Sequence, residues 1–524
     1  MNHLPYKKLP AALAIILLLL ISFSSRGQES DQKGQEPDQS VRLELEEKSF
    51  ERSIDVFPLP DSTVLVYKQP SFGSFKEEHS FDRYSQDFKL LWTTNLVLED
   101  QPDFHQFYAA GKYIYLLYLN NDPRKFFIVK VNLKTGAHTL TNYNLRKHDE
   151  LDADVKLDHF KVLNGHYFIS AQTSRNSLVI NINEATQEIR TIPALYDQQN
   201  ALEEFHMDTI AQRAEFILSE TNGIKGRLQV KRFTPAGTLY SNTLLQPPFG
   251  RNLVTAQLTP GDSTTKLIIG TYSHRDTRYS QGFFSSHLKN PDSTFKYTDF
   301  IQLSHFFDFL GKRAQRKLFQ KAERYKSQDK DLRHRYRLLF HDLVQQGDQY
   351  YLFAEVFQSQ GSNSGLYRWP GYYNRIYSLD RYFPYPGAYG RNMGGNSEYR
   401  YSHAVICAFD KSGKLLWDNS FVLKEVVRNR LEQTTHYAFV GDKVAMAYLH
   451  DEDIRYKLFT RDSTSENDLS VPLAGKNPNE KVTSVEDGDL VHWYGSNFLA
   501  FGFSRIKPQK GSSREVFFLN KISF

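Results

Sequence analysis

Short apolar or alternating runs separated by polar turns fill the chain from about residue 40 to its end. The clearest stretch is His105-Gln-Phe-Tyr108, a turn at Gly111, Tyr113-Ile-Tyr-Leu-Leu-Tyr118, a polar turn, Phe126-Phe-Ile-Val-Lys-Val131, the Lys134-Thr-Gly136 turn and His138-Thr-Leu140. Runs of this length, rich in aromatic and β-branched residues and bounded by Gly, Asn, Asp or Pro, predict four antiparallel strands joined in sequence. The same order can be laid over 54–99, 103–146, 158–196, 205–247, 251–304, 335–424, 430–474 and 481–524, giving eight units, with seven as the alternative count.

One turn marks the repeat. An Asp/Asn-x-x-Gly type of turn before an apolar strand aligns at Asp87, Gly136, Gln187, Gly237, Ser293, Gly413 and Thr464, with successive gaps of 49, 51, 50, 56, 120 and 51 residues. A period near 50 is that of a four-stranded propeller blade, with one interval holding an insertion. The predicted fold is all-β, a β-propeller of about eight four-stranded antiparallel blades with one helical insertion. The last unit, ending on Arg514-Glu-Val-Phe-Phe-Leu-Asn-Lys-Ile-Ser-Phe524, is short by a strand. Val41-Arg-Leu-Glu-Leu-Glu46 alternates apolar and charged residues, and placing it at that edge would close the ring and hide both sheet edges.

Ala408-Phe-Asp-Lys-Ser-Gly-Lys-Leu-Leu-Trp417 resembles the repeat of quinoprotein-type (PQQ-like) propellers, in which an aspartate opens the turn, a glycine takes positive φ and a tryptophan packs between blades. Phe81-Asp82 through Trp92 is a looser copy, and the other units keep the turn without the tryptophan. The resemblance implies architecture over most of the chain and no chemistry. Its quinone site is not expected, because the adjacent cysteine pair of many such dehydrogenases cannot exist in a chain with one cysteine, Cys407. The apolar neighbours in Ala404-Val-Ile-Cys-Ala-Phe409 predict a buried, inert thiol.

The N-terminus has a different pattern. Lys7 and Lys8 precede the apolar run Ala11 to Phe23, shorter than the roughly 20 residues of a membrane-spanning helix. Residues 1–27 read as a signal peptide, with an uncleaved anchor as the alternative, and 28–40 as a polar, disordered tether before a single domain over 41–524. This predicts an exported protein, periplasmic, cell-surface or extracellular. Nucleic acid is therefore not an expected partner, and membrane contact is expected only through an uncleaved N-terminal segment.

Two insertions stand out, at about 305–334 and 360–402. The first has helical periodicity, with Leu318, Phe319, Ala322 and Tyr325 along one side. Residues 312–337 hold eleven Lys/Arg against three Asp/Glu, including Lys312, Arg313, Arg316, Lys317, Lys321 and Arg324, whereas the whole chain carries only +5. A solvated rim helix and a surface for an acidic partner, such as an anionic glycan or protein, are both consistent with this charge. The second carries Tyr367, Arg368, Trp369, Tyr372, Tyr373, Arg375, Tyr377, Arg381, Tyr382, Tyr385, Tyr389 and Arg391. Such residues dominate binding surfaces, and they equally suit a lid packed over a propeller mouth. Links between second and third strands emerge on the same face as links between blades, so both insertions should share one face.

No catalytic motif emerges, and no cofactor or metal site is expected. Asp152, Asp154, Asp158 and His159 cluster, as do His450-Asp-Glu-Asp453, and both groups read as solvated inter-strand turns. The sequence points to an exported non-enzymatic propeller that binds a protein or glycan through the inserted face. The alternatives are a carbohydrate-active enzyme (glycoside hydrolase or lyase) with acidic residues in the central funnel, and a structural component of an envelope complex.

Overall fold

The computed structural model describes residues 36–47, 49, 52–70, 79–98, 102–146, 155–173, 177–192, 200–221, 225–261, 266–360, 398–429, 431–461, 463 and 469–524. It is an eight-bladed propeller. Seven blades run inner to outer in chain order, and the eighth takes three strands from the C-terminus and its outermost from Asp38–Leu45. The inner strands of blades 1 to 8 are Arg52–Pro58, Asp103–Ala110, Lys156–Leu163, Asn200–Asp208, Asn252–Leu258, Arg337–Gln346, His436–Val440 and Lys481–Tyr494. Among the described residues, no helix is long and apolar enough to cross a membrane.

Eight apolar clusters hold the ring together, one at each junction between neighbouring blades. Between blades 1 and 2, for example, Phe57 stacks on Phe107 with ring centroids 4.2 Å apart. No blade buries both faces alone, so folding free energy resides in the junctions. Cys407 lies in the blade 5–6 cluster, fully buried, and burial pushes its thiol well up.

The repeated turn joins the third and outer strands, and side-chain hydrogen bonds explain its sequence. Asn132 Oδ1 accepts the amides of Lys134 (2.9 Å) and Thr135 (3.2 Å), while Gly136 N–H donates to Asn132 O (2.8 Å). Asn183 and Asp410 repeat this role in blades 3 and 6. The chain then needs a left-handed residue, with φ of +73° at Gly136, +60° at Gln187, +79° at Gly237 and +77° at Gly413. In blade 1 this residue is Phe88, one position past Asp87. In blade 5 the one-turn helix Pro291–Thr294 replaces the turn expected at Ser293, and Thr464 lies outside the described residues.

Each such turn is clasped by the preceding blade. Trp92 Nε1 donates to Leu133 O (2.9 Å) and Thr94 Oγ1 to Gly136 O (2.8 Å), so Trp92 does pack between blades. Asn181 donates to Pro235 O (3.1 Å), Ser285 to Gly413 O, and Asn419 to the carbonyls of Arg461 (2.8 Å) and Ser463 (3.0 Å). A Cβ on Gly136 would stand 2.6 Å from Thr94 Oγ1 and 2.9 Å from the Trp92 ring. Gly136→Ala is expected to cost about 2–4 kcal/mol in urea unfolding, from overlap added to left-handed strain. Gly111→Ala, at φ +59° with open space around it, should cost only about 1 kcal/mol.

The closing strand starts at Asp38, three residues before the alternating run, and pairs antiparallel with the last strand from Val41↔Lys521 to Leu45↔Phe517. The Arg42 guanidinium lies 4.4 Å over the Phe518 ring, pairs with Glu44 (2.9 Å) and donates to Ser504 Oγ (3.1 Å). Gln39 ties the strand to blade 7, donating to Pro472 O (3.0 Å) and accepting from Ala474 N–H (2.9 Å).

The first insertion contains the helix Lys312–Ser327, in the link that leads into the inner strand of blade 6. Gln315, Leu318, Phe319, Ala322 and Tyr325 form its half-buried side, and Leu318 and Phe319 pack on the blade 5–6 cluster. The second insertion links the second and third strands of blade 6. Its residues 361–397 lie outside the described residues, beyond the pair Gln360↔Glu398.

Candidate functional site at the channel mouth

Six of the eight inner strands depart from regular pairing at one height. Counting four or five pairs from the hairpin that joins inner and second strands, the register shifts at His105 in blade 2 and at Asp158–His159 in blade 3. It shifts likewise at Glu203 in blade 4, Val254 in blade 5, His341 in blade 6 and Asp487–Gly488 in blade 8. In blades 2 to 5 this level is nearer the end where inner strands begin, which is the face of the inter-blade links. A bulge adds a residue, twists the strand and re-aims side chains, and bulges recur beside active sites. Here they gather titratable residues around the central axis, unbulged blades 1 and 7 add Asp55 and His436, and Asp489 follows the bulge of blade 8.

Part of this polarity is structural. A bulge frees backbone groups from the ladder, and a neighbouring blade satisfies them. His105 Nε2 lies 3.2 Å from Asp158 O, Gln106 Oε1 accepts from Phe160 N–H, and Gln257 Nε2 donates to His341 O. The fully buried Glu355 of blade 6 accepts the amides of Thr434 (3.1 and 3.2 Å) and Thr435, which lead into blade 7.

Other groups have no such explanation. Both ring nitrogens of His341, Nε2 of His403 and Nε2 of His436 are buried without a hydrogen-bond partner, and the buried Glu203 carboxyl faces Ser219. Their residues are at most 8% exposed, and a native buried polar atom left unpaired calls for a reason. Glu203 is in blade 4, His341 on the inner strand of blade 6, His403 on the third strand of that blade and His436 in blade 7. His341 Nε2 stands 3.6 Å from Glu355 Oε1, and His436 is close enough to His341 and His492 for each to disfavour its charge.

Glu203, Asp55, Asp489, His105, His403 and His436 are largely uncharged at neutral pH. Burial pushes Glu203 and Asp55 well above the ordinary carboxylate range. Burial, aided by Glu432, raises Asp489 to about 8. Burial lowers His105 to about 4, His403 to about 3 and His436 well below its usual value. The mouth therefore offers protonated carboxyls that donate and neutral imidazoles that accept. Because Asp489 holds its proton more tightly folded than unfolded, the stability it contributes is complete below about pH 4 and is lost as pH rises towards 8. Thermal unfolding should show Asp489→Asn gaining on the parent across that window, by at most about 1.4 kcal/mol per pH unit.

The opposite end of the channel holds a cavity of about 490 Å³ lined by Glu204, His206, Glu215, Gln257, Ile217 and Leu343, among others, from blades 4 to 6. Next to it, Lys266 pairs with Asp208 and with Glu215 (2.8 Å), all three buried. Among the described residues, no group of three or more His, Cys, Asp or Glu is placed to hold a metal ion.

The ring corrects one sequence expectation. Asp158 and His159 belong to an inner strand, with His159 only 2% exposed, rather than to a solvated turn. Asp152 and Asp154 lie outside the described residues, whereas His450 to Asp453 do form a tight strand-to-strand turn. Lys312, Arg313, Arg316, Lys317, Lys321 and Arg324 are exposed along the helix. The candidates from Tyr367 to Arg391 lie outside the described residues. Sequence reading missed Glu203, His341, Glu355, His436 and Asp489. Their only signal is a similar offset from the first hairpin of each unit, which the bulges blur.

No family model matches this chain, and no curated protein does. Among solved structures, one of a pair of prolyl endopeptidases matches with TM-score 0.37 and 10% identity, over 80% of this chain and 50% of the other. The chain thus spans about half of that protein's length. The polysaccharide lyase Uly1 matches with TM-score 0.36 and 8% identity, over 92% and 100%. The β-propeller domain of the Trilobed protease from Pyrococcus furiosus matches with TM-score 0.33 and 8% identity, over 80% and 96%. These likenesses concern the propeller fold alone.

Proposed function

We propose that this protein is an exported glycan-binding propeller whose site is the channel mouth on the face of the inter-blade links, centred on blades 6 to 8. The observation that carries this reading is the level of bulged inner strands with the buried Glu203 and with His341 and His436, whose Nε2 atoms are buried without a hydrogen bond. Uncharged donors and acceptors match sugar hydroxyls, which both donate and accept. Gln360 and Glu398, between which the sequence is rich in Tyr and Arg, lie at the end of blade 6 on the same face. Affinity electrophoresis in gels containing single polysaccharides tests this. The parent should be retarded by at least one, and His436→Gln with Asp489→Asn should weaken retardation about tenfold while remaining folded. Equal retardation of parent and variant would refute it.

A second reading has one observation in its favour. Asp489, raised to about 8, is a carboxyl that keeps its proton at neutral pH, as a general acid must. With Glu355 as a second acidic residue near Asp489, the mouth would then cleave the glycan it binds. Release of new reducing ends or unsaturated uronates, lost in Asp489→Asn, is the expected sign.

A further inference from the structure

The helix Lys312–Ser327 has seven basic residues, Lys312, Arg313, Arg316, Lys317, Lys321, Arg324 and Lys326, against the single acid Glu323. All eight are exposed. Among the described residues, none of the seven cations forms an ion pair, and no acidic residue occupies the first turn. Helix stability does not account for this pattern. Lys312 and Arg313 sit at the positive end of the helix dipole, where cations are unfavourable, and Gly311 provides no side-chain cap. Like charges at Arg313 and Lys317, and at Lys317 and Lys321, repel across one turn. The other side of the helix is committed, because Leu318 and Phe319 pack on the blade 5–6 cluster and Phe319 meets Phe307 edge-on at 6.0 Å. An apolar side turned towards the propeller is not available for insertion into a lipid surface.

We propose that this helix is an electrostatic track for an anionic polysaccharide, laying the polymer across the rim of blades 5 and 6 towards the channel mouth. Sixteen residues make a row about 24 Å long, several sugar units of a linear polymer. The helix lies in the link entering blade 6, so it shares the face of the proposed mouth. Charge is thus segregated by role. The rim attracts carboxylate or sulfate groups along the chain, and the neutral lining of the mouth takes hydroxyls. The inference rests on the reading of this face as a glycan site and adds the charge class of the glycan.

The test uses the full mature chain from Gln28, with alginate and dextran sulfate as polyanions, uncharged dextran, duplex DNA and phosphatidylglycerol vesicles as probes. One variant carries Arg313→Gln, Arg316→Gln, Lys317→Gln and Arg324→Gln, all at exposed positions; a second carries His436→Gln and Asp489→Asn. The parent should bind alginate or dextran sulfate over dextran, losing about tenfold or more in affinity between about 0.05 and about 0.5 M salt. The helix variant should lose a similar factor while melting as the parent does. Parent-like binding by a folded helix variant overturns the track, and leaves the mouth standing if the second variant is the one that fails. Binding of DNA or vesicles as tightly as either polyanion, or of no polyanion at all, also overturns it.

Discussion

Removal of residues 36–47 should leave a propeller that no longer unfolds as one cooperative unit. The segment supplies the outermost strand of blade 8 and covers the last C-terminal strand through the pairs Arg42↔Asn520 to Leu45↔Phe517. Without it, the edge Arg514–Ser523 is open, the packing of Val41, Leu43 and Leu45 on the blade 8–1 cluster is gone, Ser504 loses Arg42 and Arg514 loses Glu44. A loss of at least about 4 kcal/mol is expected, from three half-buried apolar side chains and the opened strand pairing. Adding a synthetic peptide of residues 36–47 should restore much of the melting temperature. A truncated protein as stable as the parent, or indifferent to the peptide, would show that the strand does not close the ring.

The second large effect concerns Lys266. Its ammonium is buried between Asp208 and Glu215, and Arg232 stands 3.5 Å from Glu215. Burial would raise Asp208, but the Ala211 amide, Lys266 and the Gly261 amide outweigh it and hold the carboxyl below its usual value. Burial raises Glu215 to about 7 against the pull of Lys266. Lys266→Met leaves these acids uncompensated and is expected to cost about 3–5 kcal/mol in urea unfolding. Adding Asp208→Asn and Glu215→Gln should recover more than half, because the cost is that of unpaired charge rather than lost packing. A single substitution costing less than about 1 kcal/mol would contradict this account.

The propeller was legible because its turns are local. Asn132-Leu-Lys-Thr-Gly136 encodes its hydrogen bonds and its left-handed residue within five positions, and the spacing of such turns set the blade count. The closing strand was legible for a related reason, since alternation in Val41 to Glu46 and a missing partner at the C-terminus call for each other. Departures came where long-range packing decides. Pro291–Thr294 breaks the turn pattern of blade 5, and the bulges let Asp158 and His159 occupy an inner strand although alternation fails there. Glu203, His341, His436 and Asp489 sit in four different blades, so their convergence exists only once the ring has closed.

Hydrogen–deuterium exchange with and without a retained alginate oligosaccharide would test the channel-mouth site most directly. Binding at the mouth predicts added protection in the starts of the inner strands, 103–106, 156–160, 200–205, 337–341 and 436–437, together with 481–490 and the helix 312–327. Protection confined to the outer strands, or to the opposite face around 209–212, 259–261 and 347–348, would contradict it.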